Sequence, residues 1–266
     1  MSASSDLRSR LFLRFAAPFA GLRRLPLLGP CLRWASALFV PRDSLTWVQV
    51  RSGAAAGLWL HLNPRTGHSY WEGAVEPEVQ EAIVRHLRPG MTFYDIGANI
   101  GFFSLLAARL VGPAGHVVSF EADPEIAARL REHVACNEFS SITAEHKAVW
   151  SDSRTVSFAR ADSNASPDRG LGHVAAAGGS GTISVSAVSL DEYAPASALP
   201  DFLKCDVEGA EVEVFRGAAK LLREKRPILL CEMHSEENRR ILLEQWSALG
   251  YACQPCGKDH VLALPL

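Results

Sequence analysis

Met91-Thr-Phe-Tyr-Asp95-Ile-Gly97-Ala-Asn99-Ile-Gly101-Phe-Phe-Ser-Leu-Leu106 is the stretch on which the fold turns. Its first half reads as a short buried strand, Gly97 breaks it, and from Ala98 to Leu110 the apolar residues Phe102, Leu105, Leu106 and Leu110 return at helical spacing. The pattern then repeats. His116-Val-Val-Ser-Phe-Glu121 is a strand, Asp123-Pro124 opens a helix that runs to about Asn137, and Ser141 to Val149 is the next strand. Strands alternating with helices in this way predict an α/β fold built on a parallel sheet.

Upstream, Trp47 to Leu62 reads as a hairpin with a Gly/Ala-rich turn at Gly53 to Gly57, and Pro77 to Leu87 as a helix stopped by Pro89-Gly90. Downstream, the texture from Trp150 to Pro200 changes to Ser, Gly, Ala and Asp. This predicts a β-hairpin excursion over 151–199 whose loop, Ala161 to Gly181, is mobile or acts as a lid. The α/β pattern resumes with a strand at Asp201 to Asp206, a helix from about Ala210 to Lys225, a strand at Pro227 to His234, a helix from Glu236 to Leu249, and two terminal strands. Three regions result: a basic amphipathic segment at 1–45, a hairpin and helix at 46–90, and the α/β domain at 91–266.

The 266 residues carry 48% hydrophobic and 21% charged residues, which excludes wholesale disorder and a membrane-embedded bundle. A net charge of −2 is too balanced for a surface that neutralises nucleic-acid phosphates, so no nucleic-acid partner is expected. The balance hides an asymmetry. Residues 1–40 hold six arginines and one acid, and the remainder holds 21 basic against 28 acidic residues. Arginines interrupt the apolar residues of this front end, so it is too broken to span a bilayer. The segment packs back on the domain as a helical appendage, makes peripheral contact with an anionic membrane or a partner through residues 7–40, or is disordered. Thinly spread cysteines point to a reducing, cytoplasmic setting. Cys253-Gln-Pro-Cys256 with His260 nearby offers too few ligands for a closed zinc site.

The turn Asp95-Ile-Gly97-Ala-Asn99-Ile-Gly101 sits where doubly wound sheets bind nucleotides, and Glu121 ends the following strand, where an acid reaches the two ribose hydroxyls of an adenosine. A dinucleotide turn requires glycine where this chain has Asn99 and Phe102, and no P-loop occurs. An adenosine cofactor without phosphates is therefore indicated, S-adenosylmethionine being the common one, with Asp95 near its ammonium. Two further groups end strands: Lys204-Cys-Asp206-Val-Glu208 and Glu232-Met-His234. Alternation puts Lys204 with Asp206 and Glu232 with His234 on shared faces, as catalytic candidates.

Asp-Ile-Gly-Ala-Asn-Ile-Gly-Phe-Phe, Val-Val-Ser-Phe-Glu-Ala-Asp-Pro, Lys-Ala-Val-Trp-Ser-Asp, Ser-Leu-Asp-Glu-Tyr, Phe-Leu-Lys-Cys-Asp-Val-Glu-Gly-Ala-Glu and Leu-Leu-Cys-Glu-Met-His, in this order, resemble the FkbM family of S-adenosylmethionine-dependent methyltransferases over about residues 90–235. The resemblance implies a Rossmann-like class I sheet of about seven strands with helices on both faces, and O-methylation of a hydroxyl on a sugar, glycan or secondary metabolite. It places Asp95, Gly97, Asn99 and Gly101 on the methionine side of the cofactor, Glu121 on the ribose, and Ala148, Val149 and Asp152 beside the adenine. Lys204, Asp206, Glu208, Glu232 and His234 would face the acceptor. Ala122 stands where proline is more usual.

Two rival readings share these residues: an NAD-linked sugar oxidoreductase, disfavoured by Asn99 and Phe102, and a non-enzymatic adenosine-binding protein. Catalysis is expected to be metal-independent, because the Lys204 ammonium on the face of Asp206 opposes a cation. His234 is the first choice for the base, since an ordinary imidazole is largely neutral at pH 7. Asp206 is the second, and Glu232 is expected to orient the imidazole.

Overall fold

The computed structural model of the chain describes residues 45–160, 172–175, 181–193 and 199–266. The basic segment, expected to pack on the domain or to contact a membrane, and most of the expected lid lie outside them. Among the described residues, no helix is long and apolar enough to cross a membrane.

The chain divides into two compact units at Val75/Glu76. In the first, β1 (Thr46–Gln49) and β2 (Trp59–Leu62) pair antiparallel as the hairpin pattern predicts. Its core holds Val48, Leu60 and Leu62, and the Trp71 indole of α1 (His68–Glu72) donates to the Pro64 carbonyl at 2.8 Å. The helix α2 (Pro77–His86) belongs to the second unit and not with the hairpin.

That second unit is built on β3 (Thr92–Ile96), β4 (His116–Glu121), β5 (Ile142–His146), β10 (Phe202–Cys205), β11 (Ile228–Glu232), β12 (Tyr251–Cys256) and β13 (His260–Pro265), in the spatial order β12-β13-β11-β10-β3-β4-β5. β3, β4, β5, β10 and β11 are parallel, while β13 runs antiparallel between β11 and β12. The chain steps outward from β3 to β5 in one direction and from β10 in the other, so β3 and β10 flank the switch point where such sheets bind ligands. The central strands are largely apolar: Phe93, Tyr94, Ile96, Phe202, Leu203 and Cys205 are buried, each large side chain contributing ~1.5–3 kcal/mol, and Asp95 and Lys204 are the buried charged exceptions. The helices are α3 (Phe102–Val111), α4 (Pro124–Cys136), the short α5 (Leu190–Tyr193), α6 (Glu211–Arg216), α7 (Ala219–Glu224) and α8 (Glu236–Ala248).

Three elements differ from the sequence expectation. The helix after β3 begins at Phe102 instead of Ala98, because Asn99 and Gly101 hold φ of 51° and 86°, which no right-handed helix accommodates. The helix expected over 210–225 is two. The Asp191 carboxylate accepts from the Lys220 and Leu221 amides (2.9 and 2.8 Å) and so starts α7 afresh. The expected strand from Ser141 to Val149 breaks at Lys147, and β6 (Ala148–Val149) joins a second sheet, β6-β9-β7-β8, with β7 (Arg154–Ala159), β8 (His173–Ala175) and β9 (Thr182–Val188). The expected hairpin excursion is the β7–β9 pair. Ala148 and Val149 register against Ala187 and Val188, and the Trp150 amide donates to Val188 at 2.9 Å.

Candidate active site

The turn after β3 is shaped by what no side chain is allowed to occupy. Gly97 has φ 75°, and a Cβ there would stand 1.8 Å from the Asp206 carbonyl oxygen. At Gly101 (φ 86°) a Cβ would meet the Leu130 side chain of α4 at 2.2 Å, and His133 Nδ1 holds the Ile100 carbonyl at 2.7 Å. Asn99, a non-glycine residue at φ 51°, leaves its own amide pointing at Glu121. Glu121 Oε2 accepts from the Asn99 amide and Oε1 from the Asp123 amide, both at 2.8 Å. Burial pushes this carboxyl up to about 7, against the pull of those two amides. Asp123 then caps α4 and is itself held by Arg160 at 2.8 Å.

β10 delivers Lys204, 1% exposed, whose Nζ lies 3.3 Å from Asp206 Oδ2, 3.9 Å from Asp95 Oδ1 and 5.0 Å from the centre of the Phe103 ring. Burial alone would lower its pKa, yet Asp206 and Asp95 hold it above the usual lysine range, so it is an ammonium. Asp95 is fully buried and also accepts from Ser104, so its carboxylate supports Lys204 instead of presenting itself on the turn. Burial opposes ionisation of Asp206, but Lys204 and His234 keep its carboxyl below the usual range.

Around His234 the acids converge. Its Nε2 lies 3.8 Å from Asp206 Oδ1, 3.4 Å from Glu208 Oε2 and 3.8 Å from Glu232 Oε1. Its Nδ1 is 2.7 Å from Oε1 of Glu211, which has no exposed surface. Glu211 also accepts from the Gly209 amide at 2.8 Å and from Asn238. The bond to Glu211, helped by Glu232 and Glu208, pushes the His234 pKa up to about 9. This overturns the premise that His234 rests neutral at pH 7. The orienting partner is Glu211, not Glu232. Burial and the neighbouring Asp206 push Glu232 up to about 8, and burial raises Glu208, whose backbone sits at φ 51°.

The structure thus brings together Lys204, Asp206, Glu208, Glu232 and His234, as the sequence led us to expect, and adds three residues. Glu211 was visible as the last residue of the Lys-Cys-Asp-Val-Glu-Gly-Ala-Glu run. His260 had been weighed only as a partner of the cysteines, and Glu76 carried no signal. His260 Nε2 lies 3.6 Å from Glu76 Oε2 and 3.7 Å from Glu232 Oε2. Of the residues expected beside the adenine, Ala148 and Val149 are buried on β6, whereas Asp152 is exposed and paired with Arg154.

A family model described as the methyltransferase FkbM domain matches residues 95–253. The chain belongs to the FkbM methyltransferase family. It is similar over 56 residues to an arsenite methyltransferase of Halobacterium salinarum (41% identity, 21% of this chain and 14% of that protein). Over 57 residues it is similar to a protein-L-isoaspartate O-methyltransferase of Ignicoccus hospitalis (37% identity, 21% and 27%), so the matches span only a small part of these relatives. Among solved structures, an FkbM methyltransferase of Methylobacillus flagellatus is 17% identical over 75% of this chain and 53% of that one, with a TM-score of 0.47. An S-adenosylmethionine-dependent O-methyltransferase of Thermotoga maritima is 12% identical over 84% and 77%, with a TM-score of 0.45.

This FkbM methyltransferase is S-adenosylmethionine-dependent, and the turn suits that cofactor. Glu121 is fixed by two amides yet keeps a lone pair on each oxygen for ribose hydroxyls, and Gly97 and Gly101 keep the backbone bare of side chains. The seven-stranded sheet is that expected of the class I fold.

Proposed function

We propose that this FkbM methyltransferase methylates a hydroxyl oxygen of a sugar, glycan or secondary metabolite. The observation that carries the reading is the convergence of Asp206, Glu208 and Glu232 on one imidazole beside the Gly97 turn. Carboxylates accept hydrogen bonds and donate none when ionised, so the group suits an acceptor that presents hydrogen-bond donors, as the hydroxyls of a sugar or metabolite do. The bound cofactor supplies an already activated methyl carbon. The chain's own task is to hold that acceptor in line and remove its proton.

Lys204 and Glu211 anchor Asp206 and His234, and Gly97, Asn99, Gly101 and Glu121 would hold the cofactor, with Ala148 and Val149 toward its adenine. Asp152 is left out of this assignment, because Arg154 engages it at the surface. The proton acceptor in this reading is Glu208. Its side chain is 31% exposed, so an acceptor reaches it, and its raised pKa makes it a stronger base than an ordinary carboxylate. His234, protonated at rest, hydrogen-bonds the forming alkoxide's surroundings instead of taking the proton.

Transfer of labelled methyl to fractionated glycans and hydroxylated metabolites tests the reading. Label appearing in ether linkage supports it; label entering only nitrogen or carbon, or cofactor binding without turnover, overturns it. Glu208→Gln is expected to cut turnover by ~10²–10⁴-fold while leaving cofactor affinity unchanged. The reading places the reaction in the cytoplasm with residues 7–40 as a peripheral membrane contact, which sedimentation with anionic vesicles checks.

A further inference from the structure

We propose that Asp206, Glu232 and His234 form a binding site for a divalent cation of the manganese and magnesium kind, completed by His260 and Glu76. One ligand atom from each of the first three lies within 4.8 Å of the others. The second observation is independent of that cluster. His260 is 7% exposed, and its Nε2 has no hydrogen-bond partner although it points between Glu232 Oε2 (3.7 Å) and Glu76 Oε2 (3.6 Å). Glu76 Oε2 is likewise buried without a hydrogen-bond partner.

Leaving a buried polar atom unpaired costs ~1–3 kcal/mol, and these separations are too long for hydrogen bonds. Once His234 gives up its proton, imidazole nitrogens and carboxylate oxygens offer lone pairs, and one cation can satisfy several of them where a proton satisfies two at most. Ligands at right angles around an ion about 2.1 Å away stand about 3 Å apart. The observed spacings of 3.4–3.8 Å around His234 close to that by shifts of less than 1 Å. Glu232 is the bridge, with one oxygen toward each imidazole.

The objection to a cation was Lys204. The structure limits it: the ammonium lies on Asp206 Oδ2 and is shared with Asp95, whereas Oδ1 faces His234. Asp206, Glu208, Glu232 and Glu76 then bring four carboxyl groups to the position against one buried ammonium and the His234 ring, whose proton the ion displaces. Carboxylates select the harder divalent ions and imidazole favours manganese among them. The purpose of the ion rests on the hydroxyl-transfer reading: it would hold the acceptor oxygen and make its proton easier for Glu208 to take.

The test is a manganese titration of the full-length protein after chelation, followed by the loss of the free-ion electron paramagnetic resonance signal. We expect about one manganese per chain, displaced by excess magnesium. Glu232→Gln and His260→Ala should each weaken binding at least tenfold, with S-adenosylhomocysteine affinity by calorimetry at the wild-type value. If Glu232→Gln loses S-adenosylhomocysteine binding and so its fold, His260→Ala decides alone. No manganese bound by the wild type at millimolar concentration, or His260→Ala binding like the wild type, overturns the site. Wild type that binds no manganese yet methylates hydroxyls in chelator overturns the cation and keeps the transfer reading. Wild type that binds manganese through these residues yet methylates no hydroxyl keeps the cation and overturns the reading.

Discussion

Nδ1 of His234 hydrogen-bonds Glu211, a fully buried carboxylate at the first position of α6 that also receives the Gly209 amide. The pair fixes both the direction of the imidazole and its charge. In Glu211→Ala, the His234 pKa is expected to fall from about 9 toward its ordinary value, measured by NMR titration of the ring protons in chelator. The Gly209 amide and Asn238 also lose their acceptor, so unfolding free energy should drop by ~1–3 kcal/mol. An unchanged His234 titration in a folded variant would show that Glu211 does not set it.

Gly97→Ala forces a Cβ to within 1.8 Å of a backbone oxygen, with no flexible side chain to yield. We expect cofactor binding to be abolished and stability to fall by ~3 kcal/mol or more. Gly209→Ala is the control. Its φ of 98° is equally unfavourable for a side chain, but nothing lies within 4 Å, so the conformational cost of ~1–2 kcal/mol stands alone. Thermal unfolding and S-adenosylhomocysteine calorimetry on the two variants check the contrast.

Cofactor affinity should weaken as pH falls from 8 to 6. Burial pushes the Glu121 carboxyl up to about 7, and ribose hydroxyls donate to its ionised form, so below pH 7 a proton must leave before binding. The loss is ~10-fold at pH 6, since one unit is ~1.4 kcal/mol. Glu121→Ala should remove the pH dependence together with ~1.5–3 kcal/mol of binding. Calorimetry in buffers of different ionisation heat reads the proton directly.

In chelator, the protein is expected to lose heat stability as pH rises above about 6.5. Above that, the folded state keeps the protons of Glu232 (about 8) and His234 (about 9), which the unfolded chain releases near 4.5 and 6.5, so stability falls as pH rises toward 9. Below it, His260, lowered to about 4 by burial and by Lys204, stays neutral while the unfolded chain takes up a proton, which offsets the Glu232 contribution and makes the pH dependence shallower. A melting temperature that rises steadily from pH 6 to 9 would contradict the assignment.

The part of this site written in the sequence is the part that backbone chemistry dictates. Gly97 and Gly101 are legible because a left-handed turn between strand and helix demands glycine, and Glu121 because one helix and one strand separate it from that turn. Asn99 misled, since its left-handed backbone is invisible in a helical apolar pattern. The break at Lys147 was hidden because His-Lys-Ala-Val contains no glycine or proline to mark it. Glu76 and His260 were out of reach, because their meeting depends on β13 slotting in between β11 and β12, a fact of topology and not of any local pattern.

The second sheet begins and ends at one place. Ala148 and Val149 lie against Ala187 and Val188, and the Trp150 amide closes on Val188. A segment with its two ends tied together is a cassette: its length and composition are free to change while the strands on either side keep their positions. Residues 151–186 can therefore change without rebuilding the cofactor turn or the cluster around His234. Exchanging this segment between family members, with the tie at 148–150 and 187–188 retained, should move the choice of acceptor and leave S-adenosylhomocysteine binding where it was.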